Sequence, residues 1–230
     1  TLLFNMLEAV ALNANRKNGD LKLYEFGNCY FYDAEKRSEE CPTAAYSEEY
    51  RLAMAVTGTA QPASWNAKPV KASFFTLRAM AEKLLRRFGI DIYALKAETL
   101  HDDLLSEALS MTLGNKELLR IGAVGAKVRR ALGVKQEVFY LEMNFDALVR
   151  STKKHRIAVE ELSKFPEVKR DLALLVDREV TFSALRDAAF AAERKLLKSV
   201  SLFDVYEGDK LPEGKKSYAL NFVLEDKTRT

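Results

Sequence analysis

Apolar and polar residues alternate along two segments near the end of the chain, residues 170–176 and 217–224. Alternation with a period of two is typical of a β-strand that buries one face. The apolar positions assigned to the buried face are Leu172, Leu174, Val176, Tyr218, Leu220, Phe222 and Leu224. We therefore predict two strands here, each with one open face.

A helix and a further strand are predicted between these segments. After Thr181, a candidate N-cap, apolar residues recur at spacings of three and four, which is the period of a helix with one buried stripe. Residues 196–206 predict a strand, and residues 208–214 contain the Gly and Pro residues of a turn. The predicted order is strand, helix, strand, strand, with the helix on one face of the sheet.

The first two thirds of the chain show both periods. Leu3, Leu7 and Val10 fall on one stripe of an opening helix, and residues 73–88 predict the longest helix, with Gly89 at its C-terminal cap. The segments predicted as strands are 21–32, 51–57, 110–113, 117–124 and 137–143. Antiparallel strands flanked by helices predict an α+β fold.

Composition narrows the possible functions only a little. The 230 residues are 48% hydrophobic, which is ample for packed cores, and 36 basic against 33 acidic residues leave a net charge of only +3. Any contact with nucleic acid must therefore rest on local clusters, and residues 163–230 themselves contain 13 basic and 12 acidic residues. Two cysteines and two histidines are too few for the usual zinc sites, so we expect reduced structural thiols and no bound metal. With no long apolar run or targeting segment, we expect a cytoplasmic protein without membrane contact.

Three sequence blocks in the last third are distinctive as a set. They are FPEVKRDLALLVD at 165–177, LFDVYEG at 202–208 and PEGKKSYA at 212–219. Together they resemble the ferredoxin-fold anticodon-binding domain of the bacterial phenylalanyl-tRNA synthetase beta-subunit family. The opening residues 1–18 and LYEFG at 23–27 are similar to the catalytic-like core that precedes this domain in the same family.

The resemblance implies a two-domain organisation. The expected divisions are 1–150 for a degenerate, class II synthetase-like antiparallel core, 151–162 for a connector and 163–230 for a ferredoxin-like domain. A complete ferredoxin-like unit has one more helix and strand, so we expect this domain to be truncated at Thr230, with an unpaired edge on its first strand. Because the sequence also begins at Thr1 without Met, we interpret it as a piece of a longer subunit.

The core is expected to be noncatalytic. A class II active site uses an arginine on a strand to hold the ATP α-phosphate. The matching stretch here is 30–33, where Phe31 takes the place of the arginine and Asp33 retains an acid. The phosphate clamp is therefore missing.

A second class II motif, a glycine-rich strand that ends in arginine, is also altered. The candidate stretch 140–149 has no glycine, and its arginine position falls near Ala147 or Leu148, with Arg150 a few positions beyond. We therefore expect no adenylation by this chain, and no catalytic residue is assigned.

Two other stretches leave a choice between chemistry and structure. The glycines of 122–125 could form a phosphate loop, but the spacing of the known loops is absent and a strand-to-helix turn is favoured. His101, Asp102 and Asp103 could act in acid–base chemistry, but a solvated helix cap is favoured.

The connector is rich in basic residues. Arg150, Lys153, Lys154 and Arg156 have no acidic residue among them. They read as a solvated linker, and the alternative is an electrostatic contact with the tRNA backbone.

The open face of the last domain is the expected RNA contact. Single-stranded bases can stack on an aromatic ring and form hydrogen bonds with small polar residues on such a sheet. Phe203 is the expected stacking platform, and basic residues are expected to rim the face. The candidate RNA-binding residues are Lys169, Arg170, Lys198, Phe203, Lys215, Lys216, Ser217, Ala219 and Asn221. The alternative is that Phe203 packs in the core and the lysines are merely solvated.

The resemblance implies the partners and cofactors. This piece would support assembly with an alpha subunit in an α2β2 tetramer, and it would bind the anticodon region of tRNA-Phe. ATP and magnesium would act in the alpha subunit, and no cofactor would bind to this piece. Editing of mischarged tRNA would lie outside these residues. Two alternatives stay open, a catalytically active ligase and a structural scaffold without an RNA role.

Overall fold

The structure, a computed structural model, describes residues 1–152, 158–159 and 163–227. The chain divides into two compact units, Thr1–Arg156 and Ile157–Thr230. Three residues of the predicted basic connector, Lys153, Lys154 and Arg156, lie outside the described residues.

The first unit is built around a six-stranded antiparallel sheet with helices on both faces. In chain order its strands are β1 Leu21–Tyr32, β2 Tyr46–Thr57, β3 Thr59–Gln61, β4 Val70–Lys71, β5 Lys96–Leu100, β6 Leu105–Leu113, β7 Lys116–Val124 and β8 Val138–Asn144. Its helices are α1 Leu3–Asn15, α2 Phe74–Arg87, α3 Ala126–Ala131 and α4 Phe145–Thr152, and short 3-10 turns span Ala34–Lys36, Pro42–Ala45 and Ile92–Ala94. Six strands pair in the order β1-β2-β8-β7-β6-β5, while β3 and β4 form a separate hairpin.

Each face of this sheet has its own apolar core. Leu3, Leu7 and Val10 of α1 are fully buried against one face, as the predicted stripe requires. Leu77 and Leu85 of α2 are buried against the opposite face, together with Leu148 of α4. An apolar core therefore lies on each face of the sheet.

The predicted elements of this unit are present, with shifted boundaries. The strands β2 and β6 begin five residues earlier than predicted, and β5 and the β3–β4 hairpin were not predicted. The longest helix begins after Ser73, whose hydroxyl accepts a hydrogen bond from the Thr76 amide in a capping box, and Gly89 beyond its end has φ +75°.

Two loops settle the choices left open by the sequence. Gly125 precedes α3, so residues 122–125 form the favoured strand-to-helix turn. The expected helix cap at 101–103 is wrong, because these residues join β5 to β6. There the Asp102 carboxylate accepts a hydrogen bond from the Leu104 amide at 2.6 Å, closing a local turn instead.

The second unit has the predicted order of elements. These are β9 Val168–Asp177, α5 Phe182–Ala192, β10 Leu197–Tyr206 and β11 Lys215–Leu224. The antiparallel sheet has the order β10-β11-β9, so β11 is central. Within residues 163–227, β9 pairs with β11 alone, which leaves its outer edge unpaired.

The helix α5 covers one face of this sheet. The Thr181 hydroxyl caps it by accepting a hydrogen bond from the Ala184 amide at 3.2 Å. Phe182, Leu185 and Ala189 then pack against a small core that includes Tyr218 and Leu220. This is the face that the alternation predicted, and the other face is open.

Across residues 1–152, 158–159 and 163–227, none of the helices is both long enough and apolar enough to cross a membrane.

Candidate functional site

The open face of the second unit can be mapped from strand register, because residues opposite each other in antiparallel strands point to the same face. Leu220 lies on the face that packs against α5, so its neighbours Ala219 and Asn221 lie on the open face. Three rows cross that face from β9 through β11 to β10: Asp171, Asn221 and Ser201; Ala173, Ala219 and Asp204; Leu175, Ser217 and Tyr206.

A β-bulge changes which residues of β10 join this face. The register shifts between Leu202 and Asp204, so Phe203 has no partner in β11. Phe203 is 60% exposed and is absent from the core of the unit, so its ring is available to a ligand. Beyond the shift, Asp204 and Tyr206 continue the open face.

Asp204 and Tyr206 were therefore missed by reasoning from strict alternation. Val205 lies opposite Tyr218 on the core face, as the shifted register requires. The one sign in the sequence is the adjacent apolar pair Leu202 and Phe203, which breaks the alternation.

The Tyr206 ring packs against the backbone of Gly208. A Cβ atom at Gly208 would lie 2.2 Å from the Tyr206 hydroxyl oxygen and 2.3 Å from the ring carbon that bears it. Glycine at this position therefore leaves room for the ring where it stands.

Asn221 and Asp171 are joined across the open face. The Asn221 side-chain amide donates a hydrogen bond to the Asp171 carboxylate at 2.7 Å. This contact leaves the Asn221 carbonyl oxygen and the second Asp171 oxygen as acceptors. Beside them, Ala173 and Ala219 form a flat floor between the strands.

The five basic residues expected around this face separate into three groups. Lys169 lies opposite Val223 on the open face, and no carboxylate of residues 163–227 is within ion-pair distance of it. Arg170 and Lys216 instead lie on the face of α5, and for these two the expected position was wrong. Successive strand residues alternate, so a pair of neighbours cannot both line one face.

Lys216 is buried and the other two lysines are paired. Lys216 is 8% exposed, and its Nζ lies 4.7 Å from the centre of the Tyr218 ring, a cation–π contact. The Lys198 ammonium contacts Glu167 at 2.6 Å and Glu225 at 3.1 Å. Lys215 contacts Asp177 at 2.6 Å.

The first unit has a polar cluster at its centre, around Glu142 of β8. The Glu142 carboxylate is 5% exposed and accepts hydrogen bonds from the Arg51 guanidinium at 2.8 Å, the Tyr140 hydroxyl at 2.9 Å and the Thr1 hydroxyl. Arg51 also donates to Glu49 at 2.7 and 3.0 Å. In the described part of the chain, no buried side-chain polar atom lacks a hydrogen-bond partner.

The cluster shifts the protonation of its members. Burial alone would raise the pKa of Glu142, but the hydrogen bonds from Thr1, Arg51 and Tyr140 outweigh it and hold that pKa below its usual value. Burial and the Glu142 charge raise the pKa of the Tyr140 hydroxyl and of the Cys29 thiol. The carboxylate is therefore charged, and the phenol and thiol are neutral.

Phe31, which the resemblance matches to the class II arginine, lies beside this cluster. The Arg51 guanidinium carbon sits 5.0 Å from the centre of the Phe31 ring. An adjoining cleft of about 310 Å³ is lined by Arg51, Glu142 and also Arg150 of α4. The arginine beside Phe31 is thus already paired with two glutamates, Glu49 and Glu142.

No group of three or more His, Cys, Asp and Glu side chains within residues 1–152, 158–159 and 163–227 could hold a metal ion.

Comparison with known families matches both units. The family model described as the phenylalanyl tRNA synthetase beta chain CLM domain matches residues 1–145. The model described as the ferredoxin-fold anticodon binding domain matches residues 163–230.

Curated relatives match along the whole chain. A phenylalanine–tRNA ligase beta subunit of Bacteroides fragilis is 47% identical over 100% of this chain, and that of Porphyromonas gingivalis is 40% identical over the same span. A beta subunit of Listeria innocua is 31% identical over 98% of the chain. The chain spans 28% of the length of the first two relatives and 27% of the third.

Solved structures give a looser match. A pyrrolysyl tRNA synthetase of Desulfitobacterium hafniense is 16% identical, with a TM-score of 0.46 over 67% of this chain and 50% of that one. A likeness at this level does not decide the architecture of the first unit.

Proposed function

This chain belongs to the phenylalanyl-tRNA synthetase beta-chain family, and from that premise we propose that it is part of a phenylalanine–tRNA ligase whose second unit contacts the anticodon region of tRNA-Phe. The whole enzyme would join phenylalanine to tRNA-Phe in the cytoplasm, as an α2β2 assembly with ATP and magnesium in the alpha subunit. The first unit would be a degenerate class II synthetase core that supports assembly with that subunit.

The observation that carries this proposal is the open sheet face of the second unit. A base splayed out of the anticodon loop can lie on the floor of Ala173 and Ala219 and stack on an aromatic ring. Phe203 and Tyr206 supply two such rings on β10. The acceptors of Asn221 and Asp171 can then receive the N–H groups of a base edge, while Ser217 supplies a hydroxyl.

Charge on this face allows contact with the RNA backbone only locally, because Asp171 and Asp204 lie on the same face as Lys169. Lys169 lies on the open face, and among residues 163–227 no carboxylate is within ion-pair distance of it. Lys198 and Lys215 would contact phosphate only after releasing their carboxylates. We therefore give Lys169 the main electrostatic role, keep Arg170, Lys198 and Lys215 as weaker contacts, and assign no phosphate contact to the buried Lys216.

Footprinting of tRNA-Phe on the complete enzyme tests this function. We expect protection of the anticodon loop, which Phe203→Ala and Tyr206→Ala reduce, while Val205→Ala, on the core face of the same strand, leaves it intact. An anticodon loop that is equally accessible with and without the enzyme would favour the structural scaffold.

The noncatalytic role of the first unit rests on the Arg51–Glu142 pair, which fills the site beside Phe31. Titration calorimetry of the complete beta subunit with ATP, and with a phenylalanyl-adenylate analogue, should show no heat of binding. The rival, an active ligase, has Arg150 in the cleft in its favour. Clear heat of binding would contradict the noncatalytic role, and loss of that heat in Arg150→Ala would place the ligand in this cleft.

A further inference from the structure

Six aromatic side chains form a bare patch on the first unit, which we call the aromatic face. Its members are Tyr24, Phe26, Tyr30, Tyr32, Tyr46 and Tyr50. Register places all six on the sheet face that α2 and α4 cover further along, because Tyr32 lies opposite Tyr46 and Asn28 opposite Tyr50. No other described residue covers these large aromatic groups fully, so they are exposed to solvent.

The patch is ordered by ring contacts. The Phe26 ring stacks on Tyr50 with centres 5.9 Å apart and meets the edge of Phe145, the first residue of α4, at 5.0 Å. Tyr32 and Tyr46 lie 5.1 Å apart. Tyr24 and Tyr30 are each more than 70% exposed. The rings that touch one another lose little conformational entropy when a partner covers them.

The exposed area is that of an interface. Each aromatic side chain buries about 150–250 Å² when covered, and these six are on average more than half exposed, so the patch offers on the order of 700 Å². A standard protein interface takes roughly 800 Å² from each partner. The outer edge of β1 adjoins the patch, and no strand of residues 1–152 pairs with it, which adds free backbone groups.

Charge around the patch selects the kind of partner. Residues 33–50, which join β1 to β2 and include the start of β2, contain six acidic and two basic residues in a chain whose net charge is +3. This acidic rim would repel RNA phosphates. It would also repel a second copy of the chain, because a two-fold contact brings the same patch, and so the same charges, together.

We propose that the aromatic face and the free edge of β1 are where the alpha subunit docks, through an apolar surface that is rimmed by basic side chains. This inference rests on the proposed function and names the surface that serves it. Five of the six residues are tyrosines. Their hydroxyls stay hydrated before association, which suits two subunits that fold separately.

The test uses complete alpha and beta subunits. The double variant Tyr30→Ser/Tyr46→Ser removes two rings that are both largely exposed, so the fold should survive. We expect the dissociation constant of the subunits, measured by analytical ultracentrifugation, to rise at least about 30-fold. The control is Phe4→Ser, a partly exposed ring on α1, which packs on the opposite sheet face.

Hydrogen exchange of the unmodified subunits needs no variant. Amides of β1 should become protected when alpha is added to beta. An unchanged dissociation constant, or β1 amides already protected in the beta subunit alone, would overturn the docking site and leave the proposed function standing. Self-association of the beta subunit that is abolished by the double variant would also overturn the docking site. A beta subunit that fails to bind alpha at all would overturn the proposed function itself.

Discussion

Arg51 and Glu142 form an ion pair, 2.8 Å between Nη1 and Oε1, that joins β2 to β8 inside the first unit. Their side chains are 15% and 5% exposed, so the pair is largely removed from water. Glu49 holds the other side of the guanidinium at 2.7 Å. A buried pair of this kind stabilises little compared with an apolar core, but losing one partner is costly because the other charge stays buried.

Glu142→Gln should therefore destabilise the first unit by about 2–4 kcal/mol. The amide keeps the shape of the side chain but removes the charge that faces Arg51. Denaturant unfolding, followed by a probe in the first unit, measures the loss. Glu8→Gln, on the exposed side of α1, is the control and should have no measurable effect. A stability equal to that of the unmodified chain would show that Glu49 alone satisfies the guanidinium.

The same pair predicts the response to acid. In the folded chain the pKa of Glu142 lies below its usual value of about 4.3, so the folded state binds fewer protons than the unfolded state in this range. Its stabilising contribution is complete above pH of about 4.3 and is lost as the pH falls through the lower folded value. Unfolding free energies measured from pH 6 downward, in steps of about half a unit, should fall less steeply in Glu142→Gln. Parallel curves for the two proteins would contradict this.

Gly122 allows two strands to approach each other closely. A Cβ atom there would lie 2.7 Å from the Ala108 Cβ and 2.9 Å from its Cα, so Gly122→Ala forces β6 and β7 apart. We expect a loss of about 1–3 kcal/mol by denaturant unfolding. Adding Ala108→Gly removes one of the two close contacts and should restore part of the loss. Gly19→Ala meets only the end of the Gln136 side chain and serves as the control.

The alternation or helical spacing of apolar residues predicted most of the helices and strands, because each of these elements is defined by neighbouring residues in the sequence. Alternation between residues 21 and 32 predicted β1 to its ends, since Asn and Gly residues precede it and the alternation is strong. The five residues of β5 carry a weak version of the same pattern and were missed. The Arg51–Glu142 pair joins positions 91 residues apart, so no local pattern reports it.

The candidate RNA site was likewise predictable where it depends on alternation within one strand, and not where it depends on pairing between strands. Alternation correctly placed Ala219 and Asn221 on the open face. It could not show the bulge at Phe203, because an extra residue in one strand is visible only against its partner. Lys216 was placed wrongly because its charge suggested a solvated position, whereas strand geometry buries it on Tyr218.

Lys169 and Lys216 should therefore differ in their effect on RNA binding. We expect Lys169→Ala to lower the slope of log affinity for tRNA-Phe against log salt by about 0.7, the value for one contact with a single strand. Lys216→Ala should leave that slope unchanged and instead destabilise the second unit by about 1 kcal/mol. Filter binding of the complete enzyme between about 50 and 200 mM salt measures the slope. An equal change of slope in both variants would mean that Lys216 leaves its buried position to bind RNA.

Tyr206 and Gly208 should act as one unit in tRNA binding, because the ring stands where a side chain at position 208 would be. Tyr206→Ala removes a stacking ring and should weaken tRNA-Phe binding by about 5–100-fold. Gly208→Ala keeps the ring but displaces it, so we expect a smaller loss in the same direction, with the unfolding free energy changed by less than about 0.5 kcal/mol. In the double variant no ring remains to be displaced, and the affinity should equal that of Tyr206→Ala alone. Losses that simply add would show that Gly208 acts independently of the ring, for instance through its own backbone.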